Sequence, residues 1–593
     1  DGLSTQRFKA QKEEADAALT KLQDMLHEIF EAEDQLEPGI SSGTATEQPN
    51  ALFVASNTLE VAGLILSSDA QSRLQRAIKK VLEFGRLQDI PSDYLSRIQK
   101  LCEKPILAAQ TADLKLDDPS NESETEQWLK RSDDVLNALL AIGTLMLTMS
   151  QRQTERDMCP EDLMDAIPTV LNQIFDHCII SAVEARPAGK DAKYFEFFAS
   201  QKQVVGGLIH QSKKVLVLLA DFLSRVDISE AMINATEFFA AKLVFVENAH
   251  VDKESAIGHQ KYEPVRREGM EVLAKIFSKY PDQRPFILNE ILVSLEKLPS
   301  SRQSARQFKL GEGKNIQLFT ALVLQLVQTT GLDVPMAKTK RNLSSAVDQD
   351  IEGDSKISSD SDEDSGASLA RLAKKVNRLH DDTVRSAQYI VRFIVERAMT
   401  STKSGDEPYR NILDLFTEDL ILVLGSTDWP AAELLLRLLA FRLVALADHD
   451  KSSAIAKSMA LELLGYMGSA ISDLIVTAQH LLRTVEESES ELTDYLGQLF
   501  DDYSSRALHP RDLIAPEGPY RITLEYLLGS RNPDKWQLSS AQGYYLLQWA
   551  KAACFVYCTP EDEGGVAQDG STDKLAFILT KLFSDPLWLE AHR

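Results

Sequence analysis

The residues that could perform bond chemistry are few, and none stands in a complete set. Gly311-Glu312-Gly313-Lys314-Asn315 has the outline of a phosphate loop, where glycine amides cradle phosphate oxygens and a lysine neutralises them. Phe308 takes the place of the first glycine, however, and Asn315 that of the hydroxyl that would hold magnesium. The acidic run Asp348-x-Asp350-x-Glu352-Gly353 begins like a calcium loop, but Ser359 stands where the bidentate glutamate belongs. Cys554 and Cys558 lie one helical turn apart with no second Cys/His pair close in sequence, so buried thiols are expected in place of zinc ligands. His177-Cys178 falls in an apolar helical pattern and reads as a core pair. No G-x-S-x-G, H-E-x-x-H or dinucleotide fingerprint occurs. The expectation is a protein that is not an enzyme and needs no cofactor or metal.

What remains is charge, arranged in three places. Between Lys297 and Lys314 five basic residues (Lys297, Arg302, Arg306, Lys309 and Lys314) face Glu312 alone. The Ser/Gly content of this stretch predicts a loop joining two helices, where long cations and backbone amides could meet a phosphate. The plainer reading is that Arg306 and Phe308 pin the loop to the helices beside it. Residues 346–365 carry eight acids against Lys356, a net charge of −7. So little apolar surface predicts a disordered Ser-rich insertion over 335–368. Within it, Ser359 and Ser361 each have an acid three residues on, a pattern suited to an acidophilic kinase, and each phosphate would add about −1.5 to −2 charge. Directly after it, Arg371, Lys374, Lys375 and Arg378 begin a helix with a basic first turn. Any double-stranded DNA would be held through its phosphate backbone, since no base-reading motif is visible.

The elements that carry these patches are helices. Apolar residues recur at three- and four-residue steps over Phe8–Glu37, Leu52–Leu66, Gln71–Phe84, Trp128–Met149, Val204–Val226 and Ile228–Val246. The rhythm continues over Val265–Lys279, Phe286–Lys297, Ile316–Thr329, Ser386–Met399, Ile412–Leu424 and Pro430–Ala447, then over Lys451–Met467 and Ser469–Thr484 with a break at Gly468. No βαβ alternation appears. At 593 residues the chain would hold about four ordinary domains or one repeat array. Helical pairs recurring about every 40 residues favour the array, an all-α, elongated solenoid of degenerate HEAT/armadillo-like repeats, over a compact bundle. The expected organisation is an N-terminal helical region at 1–160, repeats at 161–334, the insertion at 335–368, and repeats again at 369–593. The net charge of −25 excludes a protein-wide basic field for nucleic acid, so DNA contact must be local. Five scattered cysteines suit a reducing compartment. The most apolar stretches, Ile316–Val327 and Leu434–Ala447, fall short of the ~20 residues of a membrane span. The opening Asp-Gly-Leu, without methionine or a signal-like stretch, reads as the start of a piece of something longer.

Several stretches are more particular than a generic repeat. They are Tyr280-Pro281-Asp282-Gln283-Arg284-Pro285-Phe286-Ile287-Leu288-Asn289-Glu290-Ile291, then Arg306-Gln307-Phe308-Lys309-Leu310, then Thr320 to Gln328. Trp429-Pro430-Ala431-Ala432-Glu433-Leu434, Leu464-Gly465 and Gly543-Tyr544-Tyr545-Leu546-Leu547-Gln548-Trp549 follow in order. Together they resemble the cohesin loader family of Nipped-B and its relatives. The resemblance implies a nuclear, chromatin-associated HEAT-repeat adaptor that loads the cohesin ring onto DNA. It also implies contact with the kleisin and the SMC heads, and stimulation of the SMC ATPase without ATP hydrolysis of its own. In that family a small tetratricopeptide partner is held by an N-terminal arm, expected before Asp1, and the hook-bearing half of the solenoid is expected after Arg593. A scaffold of the transport-receptor kind, binding proteins only, is the alternative.

Overall fold

The computed structural model describes residues 2–36, 52–55, 64–149, 161–249, 251–295, 308–310, 313–329, 382–399, 408–424, 429, 431–450 and 452–488. Two compact units divide the chain, residues 1–276 and 277–593. The fold is all-α, with helices packed against one another within each unit and two short antiparallel strand pairs among the described residues.

In the first unit, α1 (Gly2–Leu36) buries Leu22, Leu26 and Ile29, the stripe its three- and four-residue spacing dictates, and packs on α2 (Ser68–Glu83). Ser67 starts α2 by accepting a hydrogen bond from the Ala70 N–H at 3.3 Å. Helix α3 (Ser92–Thr111) and α2 both lie against α4 (Glu122–Met149), whose other side meets α8 (Lys202–Arg225). Surrounded in this way, α4 is buried almost without interruption from Asp134 to Met149. Its register is marked by buried polar pairs: Gln71 donates to Thr144 Oγ1 at 3.0 Å and Gln99 to Thr148 Oγ1 at 3.3 Å. Helix α5 (Glu161–Ile174) runs through a π-turn at Phe175–Ile179 into α6 (Ile180–Glu184). Then come α7 (Ala192–Ser200), α9 (Glu230–Val244), which packs on α5, and α10 (Glu263–Lys279), in which the unit ends.

Two expectations need correction here. Leu52–Leu66 is not helical: Phe53–Ala55 (β1) pairs antiparallel with Leu64–Leu66 (β2). Aromatic and β-branched residues at its ends favour pleated backbone, and Asn137 of α4 donates to the Leu66 carbonyl at 2.6 Å, fixing the strand to the core. The expectation that no apolar stretch reaches the length of a membrane span is the second. Glu122–Met149 and the continuous 162–184 stretch are long and apolar enough to cross a membrane, but 89% and 61% of their apolar windows are buried within the protein.

In the second unit, α11 (Arg284–Ser294) is followed by β3 (Phe308–Lys309), β4 (Asn315–Ile316) and α12 (Leu318–Thr329). Helices α13 (382–399), α14 (Pro408–Leu422), α15 (Ala431–Asp448) and α16 (Ala454–Ser488) complete it. Helix α15 is central, touching α12, α14 and α16. Arg410 ties α14 to α16, with Asp414 and Glu462 oxygens each at 2.9 Å. The expected break at Gly468 is absent, because α16 continues through it to Ser488. Glycine tolerates the right-handed helical conformation, and no proline follows in α16 to stop the helix.

Candidate partner-binding surfaces

The basic loop is better described as a pinned hairpin. Phe308 pairs with Ile316 and Lys309 with Asn315, antiparallel, and the turn closes through Leu310 N–H to the Lys314 carbonyl at 2.8 Å. Gly313 has φ +77°, the left-handed conformation that favours glycine. The glycine therefore serves a tight turn between antiparallel strands, which is not the strand-to-helix geometry of a phosphate loop. Phe308 is buried and meets the Trp429 ring edge-on, centroids 5.8 Å apart. Trp429 in turn sits at the start of α15, where Ala432 N–H donates to its carbonyl at 3.1 Å.

Beyond the hairpin, the fully buried carboxylate of Asp419 on α14 accepts from Gln317 N–H at 2.8 Å and Thr320 Oγ1 at 2.9 Å. The carboxylate meets the Gln317 amide just before α12 and a hydroxyl in its first turn, where negative charge complements the helix dipole. The anchors are thus aromatic and carboxylate. Lys309 and Lys314 are left on the exposed side of the hairpin. Lys297, Arg302 and Arg306 lie outside the described residues, as do Arg371, Lys374, Lys375 and Arg378, the serines Ser359 and Ser361, and Cys554 and Cys558.

The Tyr280–Ile291 stretch divides into a buried and an exposed part. Arg284, almost fully buried, donates from Nε to the Phe277 carbonyl at 2.8 Å and from Nη2 to the Ser278 carbonyl at 3.2 Å, closing the end of α10. Its Nη1 reaches Asp382 of α13 at 3.1 Å. Phe286 of the same stretch, and Val293 just beyond it, face solvent.

A second surface was not singled out by sequence reasoning. On α13, Arg385, Tyr389 and Arg392 share the outer face and are 75%, 42% and 67% exposed. Glu396 joins that face to α15, with Arg392 Nε at 3.4 Å and Arg442 Nη2 at 3.3 Å. On α15, Phe441 and Val444 are exposed one turn apart. The signal was present as arginine and tyrosine at helical spacing, but spacing alone does not say which face of a helix is covered.

The other titratable candidates take structural places. Cys178 is buried, and its thiol is pushed up to about 12 by desolvation, so it is not a thiolate nucleophile. His177 departs from the expected core pairing: it is partly exposed, with Nδ1 2.7 Å from Asp113 Oδ1. The π-turn that carries both residues rotates His177 toward the loop before α4. Among the described residues, no three His, Cys, Asp or Glu side chains gather closely enough to hold a metal.

These observations define an all-α helical-repeat protein whose described surface offers charged and aromatic patches. No family model matches the chain. It is 24% identical to Nipped-B-like protein A of Danio rerio over 520 residues, covering 84% of this chain and 19% of that protein. Sister chromatid cohesion protein mis4 of Schizosaccharomyces pombe is 22% identical over 478 residues, covering 78% of this chain and 28% of its own length. Among solved structures, the Chaetomium thermophilum cohesin loader SCC2, C-terminal fragment, matches with a TM-score of 0.68 and 31% identity, covering 98% of this chain and 41% of that one. The chain is thus similar to cohesin loaders of the Nipped-B kind, and it spans only 19% and 28% of the length of these two curated relatives.

Proposed function

We propose that this chain is part of the helical scaffold by which a cohesin loader brings the cohesin ring to DNA. The carrying observation is the likeness to the Chaetomium cohesin loader over 98% of the chain. In this reading the loader works by contact. It engages the kleisin and SMC heads, raises the SMC ATPase rate without turning over ATP itself, acts in the nucleus on chromatin, and holds its tetratricopeptide partner outside this chain. Stacked helix pairs supply the long surface such an adaptor needs.

Duplex DNA would be met through phosphates by Lys309 and Lys314 on the pinned hairpin, with Lys297, Arg302 and Arg306 beside them in sequence, and by Arg371, Lys374, Lys375 and Arg378. The test is ATP turnover by cohesin with DNA and the complete loader. Replacing Arg302, Arg306 and Lys309 together by Glu is expected to abolish most of the DNA-dependent stimulation. Undiminished stimulation would remove the hairpin from the DNA path. No stimulation by the unaltered loader would remove the reading itself. Phosphorylation at Ser359 and Ser361 would place negative charge beside Arg371–Arg378, so Asp at both serines is expected to lower DNA affinity at low salt. Unchanged affinity would refute that regulation.

A further inference from the structure

The exposed face shared by α13 and α15 is not used in the reading above. We propose that it is a docking surface for an acidic peptide segment of a partner protein carrying one or two apolar anchors. Arg385 and Arg392 are two helical turns apart, about 10 Å along α13, with Tyr389 between them. Arg442 enters from α15 through the carboxylate of Glu396, which both Arg392 and Arg442 approach. Asp382, the other acid here, is already held by the buried Arg284 at 3.1 Å, with Arg385 at 3.4 Å. Three arginines therefore share two carboxylates, one of them largely satisfied from below. On a chain of net charge −25 this is a local positive field.

The chemistry of the patch selects among anionic partners. Arginine forks match carboxylates as well as phosphates, so charge alone does not decide. The apolar groups do. Tyr389, Phe441 and Val444 are 42%, 51% and 45% exposed, a combination of aromatic and arginine side chains that marks anchor sites in protein interfaces. A duplex backbone would leave those apolar groups wet and would bring its phosphates against Glu396. A peptide with acids toward Arg385 and Arg392 and a Phe or Leu toward Phe441 and Val444 desolvates the apolar surface and answers the charge. Glu396 then serves to hold Arg392 and Arg442 extended.

The test uses the full chain and a synthetic fluorescent peptide of Asp and Glu with one Phe and one Leu, read by anisotropy. Parallel arms use the same peptide with Ser at both apolar positions, and a short DNA duplex. Saturable binding of the first peptide is expected, with at least a tenfold loss in the double variant R385E/R392E and a severalfold loss in F441S/V444S. Both variants should keep the parent's helical circular dichroism with at most a modest drop in thermal midpoint, since Arg385 and Arg392 are mostly exposed and Phe441 and Val444 about half. A peptide with Lys in place of its acids should regain binding to R385E/R392E. The proposal is overturned if both variants bind the acidic peptide like the parent, or if the Ser-substituted peptide binds as tightly as the anchored one. It is also overturned if R385E/R392E loses the duplex while keeping the peptide, since the face would then read nucleic acid. None of these results depends on whether the hairpin contacts DNA.

Discussion

At the scale of single residues, two arginines among the described residues, Arg266 and Arg284, are buried fasteners. Arg266 is the extreme case: its side chain has no exposure, and it donates to Glu263 Oε1 at 2.7 Å and to the Val246 carbonyl at 2.6 Å. Tyr262 stacks near it and donates to the Leu243 carbonyl at 3.1 Å, so the pair closes the end of α9. Arg266→Ala is expected to cost about 3 to 5 kcal/mol in urea unfolding, since it opens a cavity and strands buried acceptors. Arg266→Met should cost less, because it refills the space. Equal, small losses would mean that the guanidinium is dispensable. His210 on α8 allows a pH prediction. His210 is exposed, and the partial desolvation it meets, then Lys214 and Lys213, hold its pKa below the ordinary 6.5. As pH falls below that value the unfolded chain takes up this proton before the folded one, so stability declines until the folded pKa is passed. His210→Gln should flatten this part of the stability–pH curve, and an unchanged slope would show that other groups dominate.

At the scale of elements, two glycines with the same sequence appearance behave oppositely. A Cβ on Gly468 of α16 would meet nothing within 4 Å, whereas one on Gly269 of α10 would lie 3.1 Å from Leu243 Cβ on α9. Gly468→Ala is therefore expected to raise stability by about 0.5 to 1 kcal/mol through helix propensity. Gly269→Val should lower it by about 1 to 3 kcal/mol, because a backbone-fixed Cβ cannot turn aside and the two helices must part. Chemical unfolding of the two variants checks both. A loss at Gly468 would mean that the helix does bend there, as its sequence first suggested.

For the whole molecule, the dominant physical fact is a net charge of −25. Self-repulsion on that scale opposes compactness and is screened by salt. Moving from low salt to about 0.15 M, where the screening length is about 8 Å, should raise the thermal midpoint of the chain. DNA affinity, if carried by the local cations, should fall steeply over the same change. Two opposite responses to one variable separate global charge from local patches. A midpoint that drops with salt would show that surface ion pairs outweigh the repulsion.

The sequence by itself determined the helical class and most helix spans among the described residues, because those depend on apolar period at near neighbours. Periodicity placed α8 and α15 within two residues and the ends of α1 and α4 within one, though both of these begin six residues before the expected start, and ordered motifs pointed to the Nipped-B family. It misread Leu52–Leu66, where the pattern of a short apolar run serves strand and helix alike and contact with Asn137 of α4 settles the matter. Nor could it separate the roles of cations. Arg284 and Arg385 carry the same charge and both flank helices, yet one is buried on carbonyls and the other is 75% exposed. Only the tertiary structure decided which cations are spent inside and which face outward, because burial is a property of the neighbours that arrive from distant parts of the chain.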